Sequence, residues 1–88
     1  MYLHLGNHVA VRKRDVVGVF DLDNTSQSAL TRRYLAAAEQ AGCVVNAAGS
    51  ELPKSFVVCA DGGRQTVYLS QLNASTLLKR SETGRISL

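Results

Sequence analysis

Tryptophan is absent from this 88-residue chain, only five residues are aromatic, and proline occurs once, at Pro53. With so few rings, a core has to be built from Val, Leu and Ala, and the single proline rules out a proline-rich linker or repeat. There is no CxxC pair and the only two histidines, His4 and His8, lie close together, so no metal-ligand spacing exists and no metal or other cofactor is expected. The two cysteines, Cys43 and Cys59, sit inside apolar runs and read as small buried hydrophobes of a reducing compartment, not as a disulfide. Met1 to Gly6 has no charged segment followed by a long apolar one, and no apolar run reaches membrane-spanning length. A cytoplasmic protein without membrane contact is the expectation, which makes Asn73-Ala-Ser an idle glycosylation match.

What remains is an ordinary globular composition with a formal charge of +3. The length allows one domain, at a size where a single core is marginal and assembly with copies of itself brings relief. Seven of the ten cations are arginine, and Arg12, Lys13 and Arg14 are consecutive. Arginine suits bidentate phosphate contacts, so the distribution leans toward nucleic acid.

Along the chain, Leu3, Leu5, Val9 and Val11 alternate about Gly6-Asn7-His8. A three-residue loop pairing Leu5 with Val9 and Leu3 with Val11 gives one apolar face, with Asn or His in the left-handed position. Val16 to Phe20 is short, continuous and β-branched, which predicts a strand buried on both faces. Asp23-Asn24-Thr25-Ser26 is helix-start chemistry. Leu30, Tyr34, Ala37, Ala38 and Ala41 then share a predicted inner helical face, with Arg32, Arg33, Ala36, Glu39 and Gln40 opposite and Gly42 as the stop. Cys43-Val44-Val45 reads as a short strand. Strands at 55–60 and 65–70 are joined by Asp61-Gly62-Gly63-Arg64, a strong hairpin signal. Asn73 or Ser75 caps a last short helix that ends in Lys79-Arg80. The fold class is α+β: a small, mostly antiparallel sheet with one main amphipathic helix and a short C-terminal helix.

One motif imitates catalysis. Val16-Val-Gly-Val-Phe-Asp-Leu-Asp-Asn-Thr25 resembles the nucleophile motif of haloacid-dehalogenase-type phosphatases, in which Asp21 would attack phosphorus and Asp23 act as general acid. The later acidic residues, Glu39, Glu51, Asp61 and Glu82, are scattered singly, and too little chain remains for the parallel sheet such a site needs. Asp21 and Asp23 read more simply as strand-end and helix-start residues. No catalytic residue, and no small-molecule substrate, is assigned.

The cluster Arg12-Lys13-Arg14 has two readings. It is a solvated loop that discourages edge pairing, or a phosphate-contacting loop to which Lys54 could contribute.

Four segments in order carry a resemblance: Tyr2-Leu-His-Leu-Gly6, Arg14-Asp-Val-Val-Gly-Val-Phe20, Pro53-Lys-Ser-Phe-Val-Val58, and Ser70 through Ser75-Thr-Leu-Leu-Lys-Arg80. Together they resemble the Rem family of bacterial extracellular-matrix regulators, on the side of its RemB branch, over residues 1–82. Residues 83–88 are left as a flexible tail. The resemblance implies a regulator of biofilm-matrix genes. Its RemA branch binds promoter DNA as a ring-shaped homo-oligomer through arginines on two loops, and by position the first of these matches Arg14. In the second loop, where RemA-type chains carry adjacent arginines, this sequence has Ser50-Glu51-Leu52-Pro53 and then Lys54, and Glu51 repels phosphate. Double-stranded DNA is therefore the expected partner, met by Arg12, Lys13, Arg14 and Lys54. The alternative is an oligomeric assembly or protein-interaction module that does not touch DNA.

Overall fold

A computed structural model describes residues 1–22 and 29–86, with side chains through Ser81. The elements are β1 (Tyr2–Gly6), β2 (Val9–Arg12), a single 3-10 turn (Lys13–Asp15), β3 (Val16–Asp21), α1 (Ala29–Gln40), β4 (Val44–Asn46), β5 (Ser55–Asp61), β6 (Arg64–Ser70) and α2 (Ala74–Ile86). β1 and β2 form a two-stranded sheet, and the other strands form a second sheet in the order β3-β5-β6-β4. Only β4 runs parallel to its neighbour, so the sheet is mostly antiparallel and the α+β class holds.

β5 divides the interior in two. Successive side chains of a strand point to opposite faces. Val57 and Cys59 accordingly join a core under the β1–β2 hairpin and α2, with Leu3, Leu5, Val11 and Leu77. Phe56 and Val58 face the other way, with Val67, and meet Leu35 and Ala38 of α1. The result is three layers: hairpin with α2, sheet, and α1.

The strand buried on both faces is thus β5, and not Val16 to Phe20 as the sequence suggested. β3 lies at the sheet edge. Its register slips between Val16 and Gly18, and Val17 is 64% exposed. A bulge of this kind turns a side chain out of the ladder. Phe20 stacks on Phe56 at 5.0 Å between centroids and remains partly exposed.

The first hairpin also closes differently. Leu3 pairs with Val11 as expected, but Gly6 pairs with Val9, and Asn7 and His8 alone form the turn, with φ of 48° and 65°. The shift between His4 and Gly6 takes up the extra residue. Leu3, Leu5 and Val11 still share one buried face, because a bulge restores the phase that a two-residue turn disturbs. Gly6 has φ +122°, and a Cβ there would collide with the Gln71 side-chain amide.

α1 is rotated relative to the expected face. Leu35 and Ala38 pack on the sheet, whereas Leu30 is 74% exposed and Tyr34 and Ala37 are exposed as well. None of its residues is fully buried. It stops as the sequence indicates. Gly42 at φ +73° lets Cys43 N donate to Ala38 O at 2.9 Å and Gly42 N to Glu39 O at 3.1 Å, the Schellman pattern. The helix-start residues Asp23-Asn24-Thr25-Ser26 lie outside the described residues.

The strand after α1 begins one residue later than expected, and Cys43 is half-buried, not enclosed. Asn73 caps α2, its Oδ1 accepting from Thr76 N at 2.9 Å. The helix continues through Ile86, past the expected stop at Lys79-Arg80 and into residues assigned to the tail. Two buried serines lock the layers. Ser70 Oγ donates to Leu5 O at 2.7 Å and accepts from Leu72 N, and Ser55 Oγ donates to Leu72 O at 2.7 Å. No helix is long and apolar enough to cross a membrane among the described residues.

Candidate functional site

The basic run sits where β2 turns into β3. A polar Arg-Lys-Arg-Asp sequence between two apolar strands cannot continue either one, and it closes as a single 3-10 turn anchored by Lys13 N donating to Met1 O at 3.1 Å. The turn sends its three cations in different directions.

Arg12 is held between two carboxylates. Its Nε donates to Asp15 Oδ2 at 3.1 Å, and its Nη2 lies 3.6 Å from Asp61 Oδ2. Lys13 reaches to the other side, where Nζ donates to the carbonyl oxygens of Ser81 at 3.2 Å and Arg80 at 3.5 Å. It thereby ties the turn to α2. Arg14 projects outward with its side chain 75% exposed, and among the described residues its one ion contact is a loose 3.9 Å to Asp15.

Lys54 is elsewhere. It is exposed just before β5, where its backbone bonds Ser70 O and Leu22 N. β3 and β5 are antiparallel, with Val16 opposite Cys59 and Asp21 opposite Ser55. The Arg14 turn and Lys54 therefore occupy opposite ends of this pair, roughly 16 Å apart along the strands at the usual rise per residue. The four cations grouped by sequence reasoning are not one patch within a protomer.

The loop before Lys54 is braced from the first hairpin. Asn46 Oδ1 accepts from Ala48 N at 2.9 Å, and Asn7 Nδ2 donates to Ala47 O at 2.8 Å. Ala47 and Ala48 are buried, while Glu51 and Leu52 point to solvent.

Sequence reasoning missed Arg64. Read only as a turn residue, it lines a cleft together with Arg12, Asp15 and Asp61 at the Arg14 end of the molecule. The signal was the alternation of Arg64, Thr66 and Tyr68, which puts all three on one face of β6. At the floor of this cleft Cys59 has its thiol pKa raised by burial and by the Asp15 charge. The Tyr68 phenol is raised by burial, by Cys59 and by Asp15. Both stay protonated and neutral near pH 7.

A second missed feature is apolar. Val17 and Phe20 on the edge strand β3, with Leu30 and Tyr34 on α1, line an open groove of about 370 Å³. The Leu30 and Tyr34 stripe was assigned to the core from helical spacing. The stripe is real, but it faces outward.

The phosphatase imitation lacks its setting. Asp21 ends an edge strand whose neighbour is antiparallel, and Asp23 lies outside the described residues. No three His, Cys, Asp or Glu among the described residues come together as a metal site.

A model of the RemA-like family, described as extracellular matrix regulatory protein A-like, matches residues 2–80. The chain is also 38% identical over 82 residues to extracellular matrix regulatory protein B of Bacillus subtilis (strain 168), covering 93% of this chain and 91% of that protein. With nearly its whole length matched on both counts, the chain belongs to the RemA-like family of extracellular matrix regulatory proteins.

Proposed function

We propose that this protein regulates extracellular-matrix genes of a bacterial biofilm from the cytoplasm, binding promoter DNA as a homo-oligomer that offers Arg14 repeatedly to the phosphate backbone. The observation that carries this reading is the division of labour in the basic turn. Arg12 and Lys13 are held by partners of their own chain, and Arg14 is left 75% exposed at the tip. One such arginine per copy neutralises about one phosphate, a weak contact at physiological salt. Repetition around an assembly links the contacts and raises the effective concentration of each next one. Lys54, at the far end of the protomer, adds a second row only where neighbouring copies bring it toward the same duplex.

Self-association is supported by the groove of Val17, Phe20, Leu30 and Tyr34 beside the open edge of β3. An exposed apolar patch next to unpaired strand backbone invites a partner, and a second copy supplies the matching surface. Recognition is then mainly of backbone and deformability.

The test is fluorescence anisotropy of a labelled promoter duplex across a salt series, with light scattering on the same samples. Log K should fall steeply with log salt, and Arg14→Ala should abolish binding while the assembly persists. The competing reading, an assembly module that does not touch DNA, draws on Glu51 being exposed in the loop before Lys54. An oligomer that fails to bind duplex even at low salt decides for it.

A further inference from the structure

Between β2 and the β5–β6 hairpin lies a cleft of about 380 Å³, with Arg12 and Tyr2 on one wall and Arg64, Thr66 and Tyr68 on the other. Among the described residues, the hydroxyls of Tyr2, Thr66 and Tyr68 and the guanidinium of Arg64 have no side-chain or backbone partner. Four donor-bearing side chains lining one concavity can hydrogen-bond a ligand with several acceptor oxygens. Charge selects its sign. Arg12 is matched by Asp15 at 3.1 Å and Asp61 at 3.6 Å. Of the four charged residues that line the cleft, Arg64 is the one without an ion pair among the described residues, and an unengaged guanidinium favours an anion.

Shape limits the candidates further. The volume is at the lower end for small-ligand pockets, and the recess between a hairpin edge and a sheet face takes a small molecule where a duplex has to ride over the outer turn. Tyr2 is 61% exposed at the mouth and offers a ring face on which a planar group can lie.

We propose that this cleft is a binding site for a small phosphorylated molecule, its phosphate held by Arg64, Thr66 and Tyr68 and its planar part resting on Tyr2. The site is separate from the Arg14 contact to DNA and does not depend on it. Tyr68 keeps its proton well above neutrality, so it serves as a donor.

The test is a titration of the full chain, followed by amide chemical shifts, with three probes: adenosine monophosphate, inorganic phosphate and adenosine. Adenosine monophosphate should shift residues 64–68 and bind at least ten-fold tighter than adenosine, with inorganic phosphate moving the same residues more weakly. Arg64→Ala should weaken adenosine monophosphate at least ten-fold and Tyr68→Phe about three-fold, both with an unchanged melting temperature. Arg14→Ala should leave this binding intact, whether or not the wild type binds duplex. Equal affinity for adenosine overturns the proposal. So does an Arg64→Ala variant that binds like wild type, or shifts confined to residues 13–15, which would mean that the phosphate is read at the DNA contact.

Discussion

Arg14 and Lys54 stand at opposite ends of the β3–β5 ladder, one outside Val16 and Cys59 and the other outside Asp21 and Ser55. Two cations so placed do not share a phosphate. Their substitutions should therefore act independently on DNA binding, with Arg14→Ala causing a near-complete loss and Lys54→Ala a loss of a few-fold. The slope of log K against log salt should fall by roughly 0.9 for each lost contact that touches the duplex. Anisotropy on the two single variants and the double variant checks this, and a strongly non-additive double variant contradicts the separation.

The exposed stripe on α1 gives a second expectation. Leu30→Glu places a charge in the groove shared with Val17 and Phe20 and should shift the protein toward monomer in light scattering. Its circular dichroism should stay native, because Leu30 contributes little to the protomer's own core at 74% exposure. Arg33→Ala, also exposed on α1, should leave assembly unchanged.

Thiol labelling should resolve the two cysteines. Cys43 is half-buried at a helix terminus and should react with a thiol reagent in the native protein. Cys59 is buried in the core under the hairpin and should react only on unfolding. Equal native rates contradict the placement of β5 at the centre of the sheet.

Alkaline pH should weaken the fold through the same residue. Folded Cys59 holds its proton to a higher pH than the unfolded thiol, whose ordinary value is 9.0, so its contribution is complete below that value and is lost as pH rises from there through the higher folded pKa. Tyr68, raised from 10.0, extends the decline upward. Urea midpoints measured at rising pH should fall across this window, and Cys59→Val should flatten the first part of the fall.

Leu77→Ala should cost about 3 kcal/mol in denaturant unfolding, since it empties a fully buried position in the cluster that holds Leu3, Leu5 and Val11. Ser70→Ala should cost about 2 kcal/mol, because it strands the Leu5 carbonyl and the Leu72 amide in the interior.

The legible features were those with local causes. The Asp61-Gly62-Gly63-Arg64 turn, the Gly42 stop and the Asn73 cap each depend on side-chain or backbone chemistry within a few residues, and each stands where the sequence puts it. The order of strands does not have a local cause. Val16 to Phe20 and Ser55 to Cys59 are both β-branched runs, and only the pairing of distant segments decides which becomes the edge. Helical spacing likewise revealed the Leu30 and Tyr34 stripe without telling whether its partner is the sheet or something outside the protomer. At the site, the exposure of Arg14 followed from a charged turn that cannot be wholly buried. The capture of Arg12 by Asp61 and of Lys13 by α2 depends on contacts across 49 and 68 residues, respectively, and had no signal in the run itself.

The packing of Leu77 against Leu3 and Leu5 has a bearing on how the protein is made. The hairpin is synthesised before β5 and α2, which together cover its apolar face, and α2 follows more than sixty residues later. A nascent chain thus carries a sticky, half-finished surface until α2 clears the ribosome, and closure of this layer waits on a long-range encounter that slows folding. Premature termination before residue 77 would leave part of that surface permanently bare, a product suited to proteolysis or to aggregation and not to regulation.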